Sequence, residues 1–185
     1  GLIILIKKMR ILLLGCTGFI GKSLIPKLIS EGHELSLISR KNINQLKINS
    51  SFEKIAFLKL NLAKEKSWND MNLLNQLKSC EGIINLSGEP ITDKRWTEAQ
   101  KLEIENSRIN TTLYLMKNLK KNKISPKFII NASAIGFYGT SLDKIFDETS
   151  PGGEDFLANL CKKWEEAASQ KPFFTRLVIL RIGIV

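Results

Sequence analysis

The sequence is short of the residues that usually announce chemistry. Its 185 residues include three cysteines, one histidine and two tyrosines. Cys16, Cys80 and Cys161 stand far apart, with neither metal-ligand spacing nor the density of a disulfide framework. An odd, sparse set points to reduced thiols and a cytoplasmic setting. The lone histidine, His33, falls in a turn far from Cys161, which argues against a Cys–His nucleophile. Long apolar runs are also missing. Leu2–Ile6 and Ile11–Leu14 are split by Lys7-Lys8-Met9-Arg10, and neither approaches the roughly 20 residues that span a bilayer. No small-residue cleavage site follows, so neither an anchor nor a secretory leader is expected. Met9 reads as the natural start, with residues 1–8 as an extension and 9–185 as one domain. Internal repeats and low-complexity linkers are absent as well.

Acid is scarce relative to base. Eighteen Asp and Glu face 28 Lys and Arg, a net charge of +10. Such a surface attracts nucleic acid, anionic lipid or phosphorylated ligands. The alternative is compositional drift, since Lys, Ile and Asn are all abundant. The lysines are scattered, with only short clusters such as Lys120-Lys121 and Lys162-Lys163, as on a solvated face. No aromatic or basic nucleic-acid motif accompanies them. The expected partner is a small molecule, not nucleic acid or membrane.

What is present is a regular alternation of strand-like and helix-like segments. At 43% hydrophobic and 25% charged, the chain has the make-up of a globular domain with a sizeable core. Arg10–Gly15 is a continuous apolar run, as a strand buried on both faces should be. Further strands are expected at Glu34–Ser39, Lys54–Leu60, Gly82–Leu86, Lys127–Ala132 and Arg176–Ile182. Helices are expected at Phe19–Ser30, 67–79, 97–121 and 155–169, the third opened by a Thr97/Gln100 capping box. Alternation of this kind predicts an α/β, doubly wound parallel sheet of Rossmann type, in the order 3-2-1-4-5-6. Ligands then bind at the carboxyl ends of the strands, near the reversal between the first and fourth.

Gly15-Cys16-Thr17-Gly18-Phe19-Ile20-Gly21 is a G-x-x-G-x-x-G turn between a strand and a helix, the context that makes it informative. Gly15 permits a tight turn, Gly18 lets a pyrophosphate reach the backbone, and Gly21 lets helix and sheet pack closely. Amides at the helix start, with Thr17, Phe19 and Ile20 around them, face the phosphates. The second strand ends in Ser39-Arg40-Lys41, where an NAD site usually carries an acidic residue for the ribose hydroxyls. Here there is none, and Arg40 can form a charged fork with a 2′-phosphate. The expected cofactor is therefore NADP. Asn61 and Leu62, after the third strand, are placed at the adenine edge. Leu86, Ser87 and Gly88, after the fourth, are placed at the ribose.

On these residues the chain resembles the extended branch of the short-chain dehydrogenase/reductase superfamily, and within it the atypical epimerase-family proteins. The resemblance rests on Gly15–Gly21, on 84–91 (Ile-Asn-Leu-Ser-Gly-Glu-Pro-Ile) and on 93–97 (Asp-Lys-Arg-Trp-Thr). It continues through 107–109 (Ser-Arg-Ile), 132–139 (Ala-Ser-Ala-Ile-Gly-Phe-Tyr-Gly), 155–158 (Asp-Phe-Leu-Ala), Trp164-Glu165 and 181–185 (Arg-Ile-Gly-Ile-Val). It implies a reductase or epimerase that moves a hydride on the nicotinamide. Typical members use a Tyr and a Lys four residues later. Here Tyr114 is followed by Asn118 and Tyr138 by Leu142, so the pair is missing; aligning Glu165 with the family's acidic position puts Leu157 and Cys161 in its place. Ser133 matches the superfamily's active-site serine, and Tyr138 is the remaining candidate phenolic acid. Arg95 and Trp96 are candidates for substrate contact, and the role of Glu148 stays open. Similar proteins continue with a substrate-covering lobe, most of which this chain lacks, and often form homodimers. The alternative is a non-catalytic nucleotide-binding module that regulates or docks a partner, with a link to division.

Overall fold

The computed structural model describes residues 7–41, 55–88 and 97–184. Within them, β1 (Arg10–Leu14), β2 (Glu34–Ser39), β3 (Ala56–Lys59), β4 (Gly82–Asn85), β5 (Phe128–Ala134) and β6 (Arg176–Ile182) form one sheet. Every pairing is parallel, and the order is β3-β2-β1-β4-β5-β6, as expected. β1 lies in the middle because Ile11–Leu14 is apolar on both faces. Leu12 and Leu14 point to one core, with Ile38, Ile83 and Ile129 and the apolar sides of α2 (Met71–Ser79), α3 (Glu98–Lys121) and α4 (Phe156–Ser169). Ile11 and Leu13 point to the other, with Leu35, Leu37, Ile84 and Ile25 of α1 (Phe19–Ser30). Each such leucine contributes about 1.5–3 kcal/mol through burial. No helix among the described residues is long and apolar enough to cross a membrane.

The boundaries shift where local hydrogen bonds overrule periodicity. The single helix expected at 67–79 is a 3-10 turn, Glu65–Asn69, followed by α2. Asp70 divides them: its carboxylate accepts from the amides of Asn72 (2.8 Å) and Leu73 (3.0 Å), so it caps a helix and does not continue one. β5 runs two residues beyond Ala132, because β6 pairs with it through Ser133↔Arg181 and Ala134↔Ile182. Thr97 does cap α3, its hydroxyl accepting from the Gln100 amide at 3.2 Å.

β4 ends on the tripeptide Ile-Ile-Asn, and β5 carries the same tripeptide in register beside it: Ile83↔Ile129, Ile84↔Ile130, Asn85↔Asn131. Asn85 Nδ2 donates to Asn131 Oδ1 (2.7 Å) and to Thr112 Oγ1 of α3 (3.1 Å). Thr112 Oγ1 also accepts from Trp164 Nε1 of α4 (3.1 Å) and donates to the Arg108 carbonyl (2.8 Å). Asn85, Thr112 and Asn131 are fully buried, so these bonds act in a low-dielectric interior. They fix α3 and α4 at the carboxyl ends of β4 and β5, beside the reversal of strand order.

Candidate functional site

The carboxyl ends of β1 to β4 open into a groove holding about 810 Å³ of unfilled space, its solvent-filled mouth included. Ser39, Arg40, Lys41 and Asn61–Ala63 form one end. Gly15, Thr17 and Gly18 form the middle, and Ser87, Gly88, Ser107 and Thr111 the other end. Eight of the residues expected to hold a cofactor thus share one groove: Gly15, Thr17, Gly18, Arg40, Asn61, Leu62, Ser87 and Gly88.

The three glycines of the turn have different physical reasons. Gly15 has φ +69°, and a Cβ there would collide with the Ser87 backbone. A Cβ on Gly21 would run into the Cys16 carbonyl. The fold itself demands both glycines. Gly18 is not demanded in this way. Its φ of −84° suits any residue, and a Cβ there would meet nothing within 4 Å. It is the N-cap of α1, and no side chain caps the helix. The first amides of α1, which a helix leaves without intrahelical partners, thus start beside the space that Gly18 leaves open, a cradle suited to a phosphate. A pyrophosphate fits these residues.

Around the cradle, the loops are held by short local bonds. Ser39 Oγ accepts from the Lys41 amide (3.1 Å), leaving Arg40 exposed at the tip. Asn61 Oδ1 accepts from the Ala63 amide (3.1 Å), and the carbonyl of buried Leu62 accepts from Trp68 Nε1 (2.9 Å). Ser87 donates its amide to Asn85 Oδ1 (3.1 Å), which ties the far end to the buried Asn–Thr–Asn network. Four expected residues do not line the groove. Phe19 is 72% exposed beside it, Ile20 is half-buried, and Gly21 and Leu86 pack in the core on the α1 side. Arg95 and Trp96, with 89–91, lie outside the described residues.

A second polar cluster sits at the ends of β5 and β6, outside the groove. Ser133 Oγ donates to Glu165 Oε1 at 2.6 Å. Arg181 grips the same carboxylate with two bonds, Nε to Oε1 and Nη2 to Oε2, both 2.9 Å. Its Nη1 donates to the Tyr138 hydroxyl (2.8 Å) and to the Glu148 carbonyl (3.5 Å), and its guanidinium lies 3.5 Å from the centre of the Phe137 ring. Ser133 and Tyr138 are thereby joined through one ion pair. Glu165 holds the Arg181 guanidinium more firmly protonated, against the opposing effect of burial, and Tyr138 supports it. Ser133 is 3% exposed, whereas Tyr138 is half-buried.

Leu157 and Cys161, expected in place of the family's Tyr and Lys, are half-buried and buried respectively. Leu157 lies against Gly136, and Cys161 is buried on α4. Burial pushes the Cys161 thiol up, opposed by the Ala134 backbone, the Ser133 side chain and Arg108. Cys16, next to the glycine cradle, is pushed up to about 12 by burial. Neither is poised as a thiolate. Sequence reasoning missed the Glu165–Arg181 pair and the Asn85–Thr112–Asn131 network. An arginine inside the apolar strand Arg176–Ile182 was a signal for the first, since such a charge needs a partner. The repeated Ile-Ile-Asn was a signal for the second.

The sheet order, the glycine cradle and the groove at the reversal define a dinucleotide-binding protein. The chain belongs to the NAD dependent epimerase/dehydratase family, whose model matches residues 11–160. It is 36% identical to the human epimerase family protein SDR39U1 over 180 residues, covering 96% of this chain and 55% of the human protein. It is 35% identical over 179 residues to the epimerase family protein YfhF of Bacillus subtilis, with 96% and 55% covered. The crystal structure of human SDR39U1 (isoform 2) with NADPH superposes with a TM-score of 0.72 at 34% identity, covering 94% of this chain and 53% of that one. The chain spans about half the length of these relatives.

Proposed function

We propose that this chain binds NADPH along the groove and serves a reductase- or epimerase-type reaction at the ends of β5 and β6. The observation that carries the cofactor reading is Gly18: a glycine that the fold does not need, in front of uncapped helix amides. The pyrophosphate lies there, the adenine at Asn61–Leu62, and the 2′-phosphate at Arg40. A relative 34% identical in sequence was crystallised with NADPH, which supports the choice.

Bound NADPH supplies a hydride to a carbonyl carbon. The carbonyl oxygen then needs a proton, and Tyr138 is the residue proposed to give it. Its oxygen accepts from Arg181 Nη1, so its own O–H is directed elsewhere. Ser133 and Glu165 position that arginine. Arg95 and Trp96 remain proposed substrate contacts.

The test of the cofactor assignment is Arg40→Ala, titrated with NADPH and NADH. Loss of a charged fork should weaken NADPH about 10- to 100-fold and leave NADH nearly unchanged. Equal weakening of both removes Arg40 from the assignment.

A second reading, a nucleotide-binding module without chemistry, is favoured by the packing of Leu157 and Cys161 where the family's pair would stand. Tyr138→Phe separates the two. On the catalytic reading, carbonyl-dependent NADPH oxidation falls by two orders of magnitude or so, with NADPH affinity intact. Absence of any such oxidation in the unaltered protein, across aldehydes, ketones and sugar nucleotides, favours the module.

A further inference from the structure

We propose that Arg108 is a cofactor-positioning residue, holding the hydroxyls of the ribose on the nicotinamide side; this rests on the NADPH reading above.

Arg108 sits on α3 between Ser107, which lines the groove, and the buried Thr112. It is only 9% exposed, so its guanidinium is not a solvated surface charge. Gly88, which forms the groove wall after β4, leaves the room it occupies: a Cβ at Gly88 would stand 2.8 Å from Arg108 Cζ and 3.0 Å from Nε and Nη2. The guanidinium therefore packs directly against Gly88, a residue that lines the groove, with no side chain at position 88 between them.

Its orientation is set in advance. Nη1 donates to the Ile104 carbonyl at 3.2 Å, and the guanidinium carbon lies 5.4 Å from the centre of the Trp164 ring. That ring is itself fixed, because Trp164 Nε1 donates to Thr112 Oγ1. A planar cation on a locked aromatic platform loses little freedom when it takes on a further acceptor. Because Trp164 belongs to α4, the guanidinium projects toward the junction of α3 and α4.

The groove has a direction. Arg40 and Asn61 mark the adenosine end over β2 and β3, Gly18 marks the pyrophosphate, and Ser87, Gly88 and Thr111 mark what lies beyond β1. A dinucleotide running from the first to the last brings its second ribose to Gly88. A ribose diol there accepts charge-assisted hydrogen bonds from a guanidinium across the glycine. Gly88 and Arg108 thus act as a pair: one gives the space, the other fills its edge with donors.

The test compares ligands that do and do not contain the second ribose. NADPH, 2′-phospho-ADP-ribose and 2′,5′-ADP are titrated against the unaltered protein, Arg108→Gln and Arg108→Lys. Arg108→Gln should weaken NADPH and 2′-phospho-ADP-ribose about tenfold or more, and 2′,5′-ADP less than about twofold. Arg108→Lys should recover part of the loss. If all three ligands weaken equally, or none does, Arg108 only packs against Trp164 and the assignment is overturned. Retained 2′,5′-ADP binding shows that the variant is folded. If the unaltered protein binds 2′,5′-ADP but not NADPH, the groove holds an adenine nucleotide only and this inference falls. If it binds neither, the NADPH reading itself fails.

Discussion

Gly15, Gly18 and Gly21 look alike in the sequence, yet only two of them are explained by the protein. Gly15 and Gly21 are fixed by a positive φ and by contacts with Ser87 and Cys16. Replacing Gly21 by Ala forces a methyl into the Cys16 carbonyl, an overpacking that should cost about 1–3 kcal/mol or more in urea unfolding. Gly18→Ala is different. Alanine is a poorer N-cap than glycine, but it lowers the entropy of the unfolded chain by about 0.4–1 kcal/mol, so the two effects largely offset. Its stability should stay within about 1 kcal/mol of the original. The turn itself was legible because strand, glycines and helix follow one another. The division of labour within it was not, because it depends on what stands behind each α-hydrogen. Arg181 is a similar case. Its position in an apolar strand was visible, but its partners Glu165 and Tyr138 come from 16 and 43 residues away.

Element ends were the least readable level. Periodicity placed all six strands and the helices, since buried parallel strands and amphipathic helices leave strong patterns. It merged the 3-10 turn at Glu65–Asn69 with α2, because a cap such as Asp70 resembles any polar helix residue until its amide partners are known. It also could not show that α3 and α4 are pinned to the sheet by polar contacts in an apolar layer. Thr112 carries that junction, accepting from Asn85 and Trp164 and donating to Arg108. Thr112→Val keeps the shape but leaves the Trp164 indole N–H without its partner. The expected cost is about 1–3 kcal/mol in denaturant unfolding. An unchanged midpoint and slope would mean that the network adds nothing to the packing around it.

For the whole molecule, the order β3-β2-β1-β4-β5-β6 brings together residues as distant as Thr17, Arg40, Asn61 and Gly88. That convergence was legible, because doubly wound sheets place loops from the carboxyl ends of neighbouring strands at one crevice. It did not gather Ser133 and Tyr138 into the same groove; they stand in the separate cluster around Arg181. The groove and the Arg181 cluster are therefore separate in the described residues, and the proposed cofactor binding can be tested without the proposed proton supply. The decisive measurement is calorimetric titration of the unaltered chain and Gly18→Ala with NADPH, alongside their melting curves. Saturable binding by the unaltered chain, lost or strongly weakened in an equally stable Gly18→Ala, is the expected outcome. Equal NADPH affinity in the two proteins would show that the open glycine cradle does not hold the pyrophosphate.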